Sequence, residues 1–186
     1  MIRNNVPQIL FFIFIFLFLI SNPVNASWDP AKDGDKIILI RHSKAPGVGD
    51  PPGFKIKDCK TQRNLSKEGI EQSKKIGKLF KKNQIKIDQV LSSQWCRCKD
   101  TAKYAFKNYK EFTALNSTFQ TPYDKNANKQ IKELRDYIQK WNGNGSNLVL
   151  VTHYVIITAI TDVVPSSGEI VIIDKNFNTL STILTN

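Results

Sequence analysis

The chain contains two histidines, and each closes a run of branched apolar residues. His42 follows Ile37-Ile38-Leu39-Ile40-Arg41, and His153 follows Leu148-Val149-Leu150-Val151-Thr152. A weaker run, Val90-Leu91, ends in Ser92-Ser93, with Arg97 shortly after. Imidazoles, guanidiniums and hydroxyls gathered in one place describe a receptor for a tetrahedral dianion such as phosphate, because arginine's planar fork pairs with two oxygens at once. A neutral imidazole in the same place is a nucleophile or a proton carrier. A single histidine at a strand end is commonly structural; a pair, one on each of the two most apolar strands, points to function.

These residues need elements to bring them together. Short runs rich in Ile and Val predict strands buried on both faces, which belong to parallel sheets covered by helices. Ligands of such sheets sit beyond the carboxyl ends of the strands, where Arg41, His42, Thr152 and His153 fall. Ser66 reads as the N-cap of a helix carried by Ile70, Ile76, Leu79 and Phe80 to about Lys82. Cys98, Thr101, Ala102, Ala105 and Phe106 predict a second helix, from Cys96 to Tyr109. Ile131, Leu134, Ile138 and Trp141 predict a third, stopping at Asn142-Gly143, and Val155 to Asp162 a fourth. Ala114-Leu115 reads as a short strand, and residues 170–173 and 180–184 as a hairpin around the turn from Asp174 to Asn178. Ser27 to Asp35 is a polar lead-in. The segment from Ser43 to Lys60 holds Pro46, Gly47, Gly49, Pro51, Pro52 and Gly53, too many chain breakers for regular structure. A long loop directly after a buried strand usually carries function. The alternation of strands and helices predicts an α/β fold: a three-layer sandwich with a mostly parallel central sheet and helices on both faces.

A chain of 186 residues is long enough for one domain with its own core. Arg3, the apolar run from Ile9 to Ile20 and the small residues Val24-Asn25-Ala26 predict a secretory signal peptide over residues 1–26, leaving a domain over 27–186 in an exported, periplasmic protein. A retained anchor is the alternative, but the run is shorter than the roughly 20 apolar residues a span needs. Export makes a disulfide the expectation for the three cysteines. Cys96 and Cys98 are poorly placed to bridge each other, so Cys59 should pair with Cys96 or Cys98. The cysteines lack histidines nearby in sequence, so no metal site is expected. The formal net charge is +11. Lys74, Lys75, Lys78, Lys81 and Lys82 recur at helical steps opposite Ile76, Leu79 and Phe80, which makes a solvated helix face rather than a nucleic-acid interface. Peripheral attraction to an anionic lipid surface stays open. Nothing in the residues speaks to oligomeric state.

The motifs resemble a known family. Leu39-Ile40-Arg41-His42-Ser43, Arg63-Asn64-Leu65-Ser66 with Gly69 and Gln72, Ser92-Ser93 with Arg97, Thr101 and Ala102, and Val151-Thr152-His153 are similar, in order and spacing, to the histidine phosphatase (phosphoglycerate mutase-like) superfamily. Gly49-Asp50-Pro51-Pro52-Gly53-Phe54, Trp95-Cys96-Arg97-Cys98 and Ser167-Gly168-Glu169 resemble its small exported members, some of which are associated with lipopolysaccharide-core phosphate. The resemblance implies a phosphatase that uses no cofactor and acts on a small phosphorylated substrate. His42 would be the nucleophile. Arg41, Arg97 and His153 would hold phosphoryl oxygens, and Ser43, Arg63 and Thr152 would line the substrate site. The sequence departs from the family's pattern where Ser43 replaces a common glycine, where Tyr154 follows His153, and where Leu115-Asn116-Ser117 lacks the carboxylate that would protonate the leaving group. Asp124 and Glu169 are the substitute acids the sequence offers. Without an acid, fast turnover is expected only for substrates with good leaving groups, or for phosphohistidine itself. A phosphate-binding module of weak catalytic power, or a mutase, are the other readings.

Overall fold

The computed structural model describes residues 26–186, so the expected signal peptide lies outside the described residues except for Ala26. Strands β1 (Ile37–Arg41), β2 (Ile87–Ser92), β3 (Lys110–Glu111), β4 (Asn147–Thr152), β5 (Ile170–Ile173) and β6 (Thr179–Ile183) form one sheet in the order β3-β2-β4-β1-β5-β6. The four strands from β3 to β1 are parallel, and β5 and β6 add an antiparallel hairpin at one side. Helices α1 (Asp29–Lys32), α2 (Lys67–Lys82), α3 (Cys96–Phe106), α4 (Ala127–Lys140) and α5 (Tyr154–Thr161) complete the regular structure.

The isoleucine-rich strands are buried on both faces because their alternate residues serve two cores. Ile38, Ile40, Val149 and Val151 meet Ile76 and Phe80 of α2 and Ala102 of α3. Their neighbours Ile37, Leu39, Leu148 and Leu150 meet Leu134 and Ile138 of α4 and Ile156 and Ile160 of α5. The result is the expected three-layer arrangement. Ser66 caps α2 by accepting from the Gly69 N–H at 3.1 Å, and the lysines of that helix are exposed.

Three expectations need correction. Ala114 and Leu115 are not a strand: they lie in a 3-10 turn, Thr113–Leu115, and are buried beside α4. The edge strand is Lys110–Glu111, whose two residues are both exposed and so leave no apolar signal in the sequence. Helix α3 stops at Phe106 instead of Tyr109, because Lys107 takes a φ of 69°. The lead-in contains α1, anchored by the fully buried Ala31.

Candidate active site

The parallel register brings the predicted strand ends side by side. Arg41 stands opposite Thr152, and Ser92 opposite Val151. The backbone N–H groups of His42 and Ser93 extend the ladders, donating to the carbonyls of Thr152 and Val151 at 2.9 and 3.0 Å. The two imidazoles then pack edge to face with centroids 5.4 Å apart, both almost wholly buried.

The tautomer of His42 follows from its partners. Its Nδ1 lies 2.8 Å from the Ser43 carbonyl oxygen, which can only accept, so Nδ1 carries the hydrogen. Nε2 is left with a lone pair and accepts from Arg97 Nε at 3.2 Å. Burial, then the Arg97 charge, push the His42 pKa well below the ordinary histidine value. His153 is held in a related way. Its Nδ1 faces Arg97 Nη2 at 3.5 Å, and its Nε2–H donates to Ser93 Oγ at 3.0 Å. Ser93 passes its own hydrogen to Asn116 Oδ1 at 3.2 Å. Burial and the Arg97 charge lower the His153 pKa as well.

Arg97 therefore faces both rings, and Asp50 fixes it from behind. One Arg97 nitrogen, Nη1, donates to both Asp50 oxygens at 2.8 and 3.1 Å, and the two side chains are 4% and 2% exposed. Asp50 also accepts from Trp95 Nε1 and from the Arg63 N–H, each at 2.9 Å. Arg63 is tied by Nε to the Gly49 carbonyl at 2.7 Å and by Nη1 to that of Ala45. Arg41 donates through Nη1 to the Pro165 carbonyl at 2.8 Å, while its buried Nε has no partner. A buried donor without a partner is costly, and an anion in the pocket would answer it.

These groups line a cavity of about 300 Å³, together with Gly47, Val48, Gly49, Ser117, Phe119 and Tyr154 among others. A larger groove of about 620 Å³, bounded by Lys44, Glu68, Gln72 and Asn186, contains neither histidine nor arginine, so the chemistry belongs to the smaller cavity. No group of His, Cys, Asp and Glu among the described residues has the arrangement of a metal site.

The family model of the histidine phosphatase superfamily (branch 1) matches residues 37–117, which include His42, Arg63 and Arg97. Residues 37–117 of the chain are thus similar to this superfamily. Solved structures agree on the fold, which is phosphoglycerate mutase-like. TTHB049 from Thermus thermophilus is similar at a TM-score of 0.57 and 15% identity, over 81% of this chain and 99% of that one. A phosphoglycerate mutase from the same organism gives 0.56 and 14%, over 81% and 99%. The protein histidine phosphatase SixA, complexed with tungstate, gives 0.50 and 12%, over 77% and 92%. No curated protein matched by sequence.

Four of the candidate site residues lie apart from the cavity. Ser43 is fully buried, with its hydroxyl on Ser73 Oγ at 2.8 Å and its N–H donating to Thr101. What it offers the site is the carbonyl that sets the His42 tautomer. The Thr152 hydroxyl donates to the Leu115 carbonyl at 2.6 Å and so pins the segment that carries Ser117. Asp124 is exposed on the 3-10 turn Tyr123–Asn126, where it accepts from Thr121. The Glu169 carboxylate accepts from the Ser166 N–H at 2.7 Å, and the Glu169 carbonyl accepts from the Arg41 N–H at 3.2 Å. Neither acid lines the cavity.

Asp50 and Asn116, the partner of Ser93, are the members that residue types alone did not single out. An aspartate in a Pro/Gly-rich loop reads as a turn residue. Its signal would have been the need of a buried arginine for a carboxylate. The disulfide joins Cys59 to Cys96, immediately before Arg97, while Cys98 is a free buried thiol 3.4 Å from His153 Nε2. Burial pushes the Cys98 pKa up to about 12, so it is present as the thiol.

Proposed function

We propose that the protein is an exported phosphatase that hydrolyses a phosphomonoester, or a related phosphoryl compound, through a phosphohistidine on His42. The observation that carries the reading is the His42 Nδ1–H donated to the Ser43 carbonyl, which leaves an Nε2 lone pair facing Arg97 in a pocket walled by arginines. In the first half-reaction Nε2 attacks phosphorus, and the bond to the leaving oxygen breaks with its electron pair. Arg41, Arg63 and Arg97 neutralise the equatorial oxygens. A proton gained at His153 Nδ1 would turn that ring into a further donor. Water then attacks phosphorus, the P–N bond breaks, and His42 is restored.

The match of residues 37–117 to the histidine phosphatase family model supports phosphatase chemistry in general. The bound tungstate of SixA, a tetrahedral oxyanion, supports an anion pocket in this fold. Export is supported by the amino-terminal pattern and by the Cys59–Cys96 bond, which suits an oxidising compartment. In the test, His42→Ala should release no phosphate from acetyl phosphate, and the native protein, quenched in alkali during turnover to preserve the acid-labile bond, should carry phosphate on His42. Unchanged turnover in the variant would overturn the reading.

A specific observation favours a second reading, a phosphate-binding module of weak activity. No carboxylate lines the cavity among the described residues. Tight phosphate binding without turnover on any probe would select it.

A further inference from the structure

Five large apolar side chains are well exposed among the described residues, and three of them, Val48, Phe119 and Val164, line the His42 cavity. Scattered exposed apolar residues need no explanation, but convergence on one opening does. They come from three segments: the loop after β1, the stretch after the 3-10 turn Thr113–Leu115, and the loop after α5. Val48 is 88% exposed and Val164 71%. Tyr154 stands between this rim and the floor, its ring 6.0 Å from that of Phe119 and under the Arg41 guanidinium. The cavity is therefore cationic at its base and apolar and aromatic at its mouth.

In-line attack by His42 places the leaving oxygen on the far side of phosphorus from Nε2, so the ester substituent points away from the floor, toward the mouth. A polyol would leave the valine and phenylalanine surfaces there in water, whereas a ring would cover them. The leaving oxygen must also depart without help, since the one buried carboxylate nearby, Asp50, is committed to Arg97, Trp95 and Arg63. A phenol has a pKa of about 10, roughly six units below water, and so leaves as its own anion far more readily than an alcohol.

We propose that the site selects aryl phosphomonoesters, with the ring held by Val48, Phe119, Tyr154 and Val164 and the phosphoryl group by the arginines. The inference rests on the phosphatase reading above. The P–N bond forms as the P–O bond breaks, and its electron pair leaves on the phenolate, which takes a proton from solvent. A cavity of about 300 Å³ holds one ring and its phosphate, so the aryl group is either a free phenol or a tyrosine side chain extended from a peptide.

The test compares kcat/KM for phenyl phosphate, cyclohexyl phosphate and acetyl phosphate. Phenyl phosphate should exceed cyclohexyl phosphate, its match in size, by about a hundredfold or more. Replacing Phe119 and Val164 together by serine should lower the ratio of phenyl to acetyl phosphate about tenfold. Leu184→Ser, exposed elsewhere, should leave that ratio alone. A phosphotyrosine peptide that outperforms phenyl phosphate assigns the peptide source, and one that falls below it assigns the free phenol. Equal rates on the phenyl and cyclohexyl esters, or an unmoved ratio in the double variant, overturn the selectivity while acetyl phosphate turnover through His42 still stands. Absence of turnover on every probe, with no phosphate on His42, overturns the phosphatase reading and this inference with it.

Discussion

Arg97 is the residue on which the site turns, because its guanidinium faces both histidines and Asp50 at once. The Asp50–Arg97 pair is buried, and a buried pair broken from one side leaves a charge with no compensation. Asp50→Ala should therefore cost about 3–5 kcal/mol of folding stability, read as a lowered urea midpoint. Asp50→Asn keeps the shape and one acceptor but removes the charge and sets an amide donor against Arg97 and Trp95, so it should cost less stability than the Ala variant and leave Arg97 less firmly aimed. Its kcat/KM for acetyl phosphate, measured where the variant is still fully folded, should fall, and its urea midpoint should lie between those of the native protein and the Ala variant. An Asn variant of full activity would show that Asp50 serves stability alone. The sequence exposes Arg97 and both histidines through their spacing. It hides Asp50, whose role depends on a loop folding back onto a residue 47 positions along the chain, a separation that no local pattern encodes.

At the scale of elements, the Cys59–Cys96 bond ties the end of the loop after β1 to the first turn of α3. Gln62 adds to it, accepting from the Cys96 N–H at 3.0 Å. Cross-links that close a loop of this length stabilise by about 4 kcal/mol in the chain-entropy account. Cys59→Ser should lower the unfolding free energy by about 2–4 kcal/mol and raise KM more than it lowers kcat, since Arg63 and Asp50 lie on the loop it holds. Loss of stability with an unaltered KM would show that the loop is ordered without it. The elements themselves were legible where periodicity was strong: β1, β4, α2 and α4 fall within a few residues of their predicted bounds. Lys110–Glu111 could not be read, because a two-residue edge strand with both side chains in solvent carries no apolar alternation. Ala114-Leu115 misled for the opposite reason, since its burial under α4 looks the same in sequence whether the backbone is extended or turned.

The whole molecule pays for its site in acid. Burial and the Arg97 charge hold both histidines below their ordinary pKa in the folded state, while in the unfolded chain they titrate near about 6.5. Below that value the unfolded chain binds more protons than the folded one, so stability falls as pH falls through about 6.5. Urea unfolding should show the fall between about pH 7.5 and 5.5, where free carboxylates stay ionised. A flat profile would mean that at least one ring is already protonated in the folded protein. Nuclear magnetic resonance should find both rings neutral at about pH 6.5.

In the reaction proposed above, the hydrogen bond from Arg97 Nε to His42 Nε2 also bears on admission. At rest the reactive lone pair is covered, and the group covering it is the one an oxyanion wants most. With Nη1 held by Asp50, a bound phosphate oxygen competes for the Arg97 Nε–H, so the anion that meets the guanidinium is also what frees the His42 lone pair. A neutral electrophile of the same size has nothing with which to draw the cation away. It meets a histidine whose lone pair is already engaged.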